Sequence, residues 1–159
     1  MSDLVYFEDV AVGEVHRFGR YPVTAEEVVE YARQFDPQPF HVDDEAARQS
    51  MFGGLIASGW HTGAMFIHML CEHAIPGAAT TGALGFDDLR WLKPVRPGDV
   101  LGVETTIREK VASRSRRDIG VVKVDSRVLN QNDEAVMTLT SLVLYRRRPL
   151  PPAETTGAT

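Results

Sequence analysis

Gly59-Trp-His-Thr-Gly-Ala-Met-Phe-Ile-His-Met-Leu-Cys-Glu-His73 is the stretch of this chain that is apolar on most sides of a helix, through Trp60, Ala64, Met65, Phe66, Ile67, Met69, Leu70 and Cys71. A bilayer span needs about 20 apolar residues, so this shorter segment reads as a helix buried in a protein core. Ser58, directly before it, is a natural N-cap. Everything else has to be arranged so as to cover this helix.

Downstream of Gly77 the texture changes to β-branched and aromatic runs broken by turn residues, which predicts strands at about 81–93, 99–112, 119–131 and 134–147. Alternation is strict in Gly120-Val-Val-Lys-Val-Asp-Ser-Arg-Val-Leu129 and in Met137-Thr-Leu-Thr-Ser-Leu-Val-Leu144. Asn130-Gln-Asn-Asp133 between these two runs is a hairpin turn, so the sheet is expected to be mainly antiparallel. Upstream, Gly13 to Val23 reads as a first strand. Thr24-Ala-Glu-Glu27 matches a capping box, followed at helical spacing by Val28, Val29, Ala32 and Phe35, which predicts a helix over about 25–35. Asp36-Pro-Gln-Pro-Phe-His41 is expected to be a stiff extended loop, because each proline removes an amide donor and restricts its predecessor. Asp43 or Asp44 can then cap a short helix through Arg48. A strand, helices and a run of strands make an α+β domain, in its simplest form one curved sheet around one apolar helix.

At 159 residues the chain has room for one core, read here as residues 1–150, with 151–159 as a flexible C-terminal tail beyond Arg146-Arg-Arg-Pro149. The net charge is −5, and residues 1–50 alone carry 11 acidic against 4 basic side chains. Nothing in that balance favours nucleic acid or an anionic membrane surface as a partner. Cys71 is the only cysteine, and Met1–Val10 lacks the pattern of a signal peptide, so the setting is expected to be reducing and cytoplasmic.

Among residues able to carry chemistry, Asp36 and His41 stand on one proline-stiffened segment, as a general acid and base acting on one small molecule would need. Their spacing alone is equally compatible with a helix end and a polar turn. Gly53, Gly54 and Gly59, with Ser58 among them, precede the apolar helix, where unpaired amides and the positive end of the helix dipole favour a developing oxyanion. Ser58 is not a nucleophile of the Gly-x-Ser-x-Gly kind, since Ile56 and Trp60 occupy the glycine positions. His61, His68 and His73 are separated by seven, five and twelve residues, none of them one helical turn, and no metal site is expected.

Taken together, Tyr31-Ala-Arg-Gln-Phe-Asp36-Pro-Gln-Pro-Phe-His41, with Ala47 six positions on, resembles the hydratase motif of the MaoC-like, (R)-specific enoyl-CoA hydratases. As in that family, Phe52-Gly-Gly-Leu-Ile-Ala-Ser-Gly59 leads into the central helix. The likeness extends over about residues 5–147, including Trp91-Leu-Lys-Pro-Val-Arg-Pro-Gly-Asp99.

The resemblance implies a hot-dog fold, a homodimer or higher assembly, and reversible addition of water to a 2-enoyl-CoA thioester. Asp36 and His41 would manage the water and its proton, and the Gly59 amide would polarise the thioester carbonyl. Gly54, Ser58 and Trp60 would line the substrate site. Coenzyme A enters as part of the substrate, and no separate cofactor is implied. Its phosphates need cations, which Lys93 with Arg96, or the stripe Arg114, Arg116 and Arg117, can supply.

The chain departs from the family pattern in Gln34-Phe35 for the usual Ser-Gly, in Gln38 for the usual Asn, and in Ala64 where some members carry serine. Trp60, Met65, Phe66 and Met69 point to a short or branched acyl chain. A thioesterase on the same fold and a non-catalytic acyl-CoA binding module are the competing readings.

Overall fold

A computed structural model describes residues 4–149, so the expected tail from Pro151 lies outside the described residues. The chain begins with a single 3₁₀ turn at Phe7–Asp9 and continues through β1 (Val15–Pro22), α1 (Ala25–Phe35), α2 (Pro39–Val42) and α3 (Asp44–Gln49). It ends with the long helix α4 (Gly59–His73) followed by β2 (Thr80–Trp91), β3 (Val100–Ala112), β4 (Ile119–Leu129) and β5 (Ala135–Arg146). The five strands form one antiparallel sheet in the order β1-β3-β4-β5-β2, and α4 lies against its concave face.

Local chemistry sets most of the element ends. Thr24 accepts a hydrogen bond from the Glu27 amide at 3.3 Å and starts α1, while Asp43 accepts from the Ala46 amide at 2.8 Å and starts α3. Only half of the expected capping box forms, because the Glu27 carboxylate accepts the Tyr21 hydroxyl instead. In the turn between β4 and β5 the Asn130 side chain accepts from the amides of Asn132 and Glu134.

The segment after Asp36 corrects the expectation of an extended loop. Pro39 sits at the first position of α2, where the missing amide would have had no helical partner, so a one-turn helix forms and carries His41.

The helix α4 is also less enclosed than expected. Met65, Phe66 and Met69 are buried against Leu101, Val103, Val128, Met137 and Leu139, but Ala64, Ile67, His68 and Cys71 on the opposite face are exposed. The helix seats on β1 through Gly19, where an added Cβ would lie 2.5 Å from Met69 Sδ. A second, smaller cluster of Phe7, Val10, Ile107 and Val122 closes the far end of the sheet. Among the described residues no helix is long and apolar enough to cross a membrane.

Candidate active site

Asp36 follows the last turn of α1, with its amide bonded to the Ala32 carbonyl at 2.8 Å. His41 is one turn further along, on α2, and the two side chains meet: His41 Nε2 lies 3.4 Å from Asp36 Oδ2. The imidazole is held from behind, its Nδ1 2.8 Å from the Ile56 carbonyl. That oxygen can only accept, so Nδ1 carries a proton and, in the neutral ring, Nε2 presents a lone pair toward Asp36. His41 is almost fully buried, whereas the Asp36 carboxyl keeps 21% of its surface exposed. One group of the pair therefore reaches solvent.

Two further donors aim at Asp36. Ser58 donates its hydroxyl to Oδ2 at 2.6 Å, and the Gln38 amide donates to Oδ1 at 2.8 Å. Led by the Ser58 bond, these contacts hold the Asp36 carboxyl below its ordinary value, against the opposing effect of burial. Ser58 does occupy the N-cap position of α4, but its hydroxyl makes no cap bond; it is fully buried and spent on the carboxylate.

Gly59 comes next, at the first helical position. The first bond of α4 runs from the Thr62 amide to the Ser58 carbonyl, which leaves the Gly59 amide without a partner inside the helix. Trp91, at the end of β2, explains why this residue is glycine. Its indole nitrogen donates to the Gly59 carbonyl at 2.9 Å, and a Cβ on Gly59 would lie 2.5 Å from the ring. Trp60 packs edge-on against Trp91, ring centres 5.2 Å apart, and is itself mostly exposed at the mouth. The sequence reading did not place Trp91 in the site; only its place at the head of the Trp91–Asp99 motif marked it.

The other candidates divide. Arg96 donates to the Phe52 carbonyl at 2.6 Å and packs beside Gly54, on the loop that leads into Ser58 and Gly59. Lys93 is paired with Glu134 on a neighbouring loop. Arg114, Arg116 and Arg117 sit at the tip joining β3 to β4, Arg116 paired with Asp118. That tip is the whole length of β3 from Arg96, about 40 Å along an extended strand, so within one chain it is remote from Asp36. Met65, Phe66 and Met69 are buried in the core against the sheet, which removes most of the basis for expecting a short acyl chain.

Below the pair lies a network the sequence did not reveal. His61, buried on α4, stacks on Tyr31 with ring centres 4.5 Å apart and lies 3.6 Å from Glu27, which also holds Tyr21. Burial pushes the His61 imidazole below its ordinary value, and its Nδ1 has no partner among the described residues. Tyr21 is pushed up to about 12, by burial first and then by Glu27.

Comparison with known proteins places this geometry in context. Residues 9–132 match the family model described as MaoC like domain. A crystal structure of a MaoC-like dehydratase from Rhodospirillum rubrum superposes with a TM-score of 0.85 at 46% identity, covering 91% of this chain and 99% of that one. An R-hydratase from Pseudomonas aeruginosa, with a hot-dog fold, superposes at 0.73 with 25% identity over 94% and 95% of the two chains. The mesaconyl-CoA hydratase of Cereibacter sphaeroides is 33% identical over 147 residues, which span 90% of this chain but only 41% of that protein.

Proposed function

Since the chain belongs to the MaoC-like dehydratase family, we propose that it catalyses reversible hydration of a 2-enoyl-CoA to a 3-hydroxyacyl-CoA, with Asp36 and His41 as the acid-base pair. The observation that carries this reading is the meeting of Asp36 and His41 at 3.4 Å, tied through Ser58 to the Gly59 amide, which has no partner inside its helix.

Addition of water to the β-carbon puts negative charge on the thioester oxygen. An amide at a helix start, backed by the helix dipole, stabilises that charge. Asp36, held anionic by Ser58 and Gln38, accepts a hydrogen bond from the attacking water, and the His41 Nε2 lone pair takes its proton. The water oxygen bonds to Cβ, the Cα=Cβ pair shifts toward the carbonyl, and the proton is returned to Cα. The addition involves no net change of oxidation state and so needs no redox cofactor, and coenzyme A enters as part of the thioester substrate.

For the phosphates, Arg96 with Lys93 is favoured by its place beside the loop that carries the site. The stripe Arg114, Arg116 and Arg117 would serve only across a second copy. A homodimer joined along the exposed edge of β2 completes the reading, and the exposed thiol of Cys71 suits a reducing cytoplasm.

Loss of the enoyl-thioester absorbance on adding water to crotonyl-CoA and longer 2-enoyl-CoAs tests this reading. Asp36→Asn and His41→Ala should each lower turnover by about 10² or more with the fold intact. Release of free thiol in place of hydration would make the protein a thioesterase, and binding without either reaction a carrier.

A further inference from the structure

The helix α4 meets β2 at its N-terminal end, through Gly59 and Trp60 against Trp91, and beyond that contact it lies over β1 and β3 and leaves much of β2 exposed. Toward the C-terminal half of α4 this exposed side borders a cavity of about 470 Å³, with Ile67 and Leu70 on its helix side and Ala83 and Phe86 on its β2 side. Such a volume accommodates a sizeable part of a small-molecule ligand.

Its floor is unusual. Thr105, Ser126 and Ser141, on the three neighbouring strands β3, β4 and β5, all line it and are 6%, 3% and 6% exposed. Thr105 pairs directly with Ser126, and Ser141 is one same-face step from Leu139, the partner of Ser126. The nearby Thr140 hydroxyl is bonded to Asp125 at 2.6 Å, whereas Thr105, Ser126 and Ser141 border the cavity itself. They form a polar row between the two apolar clusters of the core. Among the described residues no lysine or arginine lines the cavity, whose rim carries Glu14, His16 and His73.

We infer that this cavity receives the far end of the substrate's acyl chain and selects a long chain carrying a neutral oxygen function level with the Thr105–Ser126–Ser141 row. The inference rests on the hydratase reading above and names its substrate class.

Both α4 and β2 run from the catalytic site to the cavity: Gly59 and Trp91 mark one end, Leu70 and Phe86 the other. Phe86 pairs with Ser141, and from Trp91 to Phe86 is five strand residues, about 16 Å, or about a dozen atoms of an extended chain. A purely alkyl chain reaching the floor would strip water from three hydroxyls and give them nothing in return. A carboxylate there would find no lysine or arginine among the lining residues, and His16 on the rim is already turned to Glu14, so a hydroxyl, ether or keto oxygen is the chemistry that fits.

The test compares three 2-enoyl-CoAs of equal length, about fourteen chain atoms: plain alkyl, one with a hydroxyl or ether oxygen near the eleventh or twelfth atom, and one ending in a carboxylate. The oxygenated substrate should exceed the alkyl one about tenfold in kcat/KM, with the carboxylate poorest. The Ser126→Ala, Ser141→Ala double variant should abolish that preference while hydrating crotonyl-CoA as the parent does. Equal use of oxygenated and alkyl chains by the parent, or a preference surviving in the variant, overturns the inference.

Calorimetric binding of the saturated oxygenated acyl-CoA reads the cavity without turnover, and stays informative if no hydration is seen. Affinity about tenfold weaker in the double variant supports the site, and equal affinity overturns it. Thr105→Val repeats the measurement should the double variant fold poorly. A change in sedimentation mass with acyl-CoA affinity unchanged would assign the cavity to a contact between copies and overturn the proposal.

Discussion

Ser58 shows how one side chain sets the state of another. Its hydroxyl, 2.6 Å from Asp36, is the leading cause of that carboxyl's lowered value, and it touches nothing that a capping serine would touch. Removing it withdraws a hydrogen bond made only to the charged form, so the Asp36 value must rise. Ser58→Ala should therefore move the acid limb of the pH profile of kcat/KM to higher pH and lower the plateau by about tenfold. Rates measured between pH 4 and 8 check this, and an acid limb that stays in place would mean that Asp36 does not act as the anion.

Between elements, α1 and α4 are joined by His61, which stacks on Tyr31 and faces Glu27. Desolvation lowers the His61 value below 6.5, so the unfolded chain takes up this proton more readily than the folded one. The stability that depends on neutral His61 is complete above pH 6.5 and is lost as the pH falls from there toward the folded value. His61→Phe keeps a ring against Tyr31 and has nothing to protonate. Its melting temperature should fall less steeply than the parent's between pH 6.5 and 5, as thermal unfolding across that range will show; parallel slopes would exclude His61 as the titrating group.

At the scale of the whole molecule, the sheet ends in β2, whose outer edge is unpaired among the described residues and which exposes Leu84 and Phe86 at 65% and 49%. An open edge bearing large apolar side chains is a pairing surface, and two copies related by a twofold axis would cover each other's. Sedimentation equilibrium at micromolar concentration should give twice the chain mass, and Leu84→Lys should shift it toward the monomer. A monomeric parent would count against the dimer and against any role for Arg114, Arg116 and Arg117 across copies.

The helix over 25–35, the four later strands and their antiparallel pairing were all legible in the sequence, because each rests on local signals: caps, turns and apolar periods of 3.6 and 2. Asp36 and His41 were legible as candidates for the same reason, since they stand on one short segment. The sequence could not show that α2 would form, because the prolines that argue against a helix are harmless at its first turn. Nor could it show what Ser58, Trp91 and His61 touch, or that Thr105, Ser126 and Ser141 stand side by side. Those contacts join residues 22 to 34 positions apart, or strands whose neighbours are set by register, and only the closing of the sheet over α4 brings them together. The two basic sets likewise look equivalent along the chain and are separated by the full length of β3 in space, which is the property a phosphate site depends on.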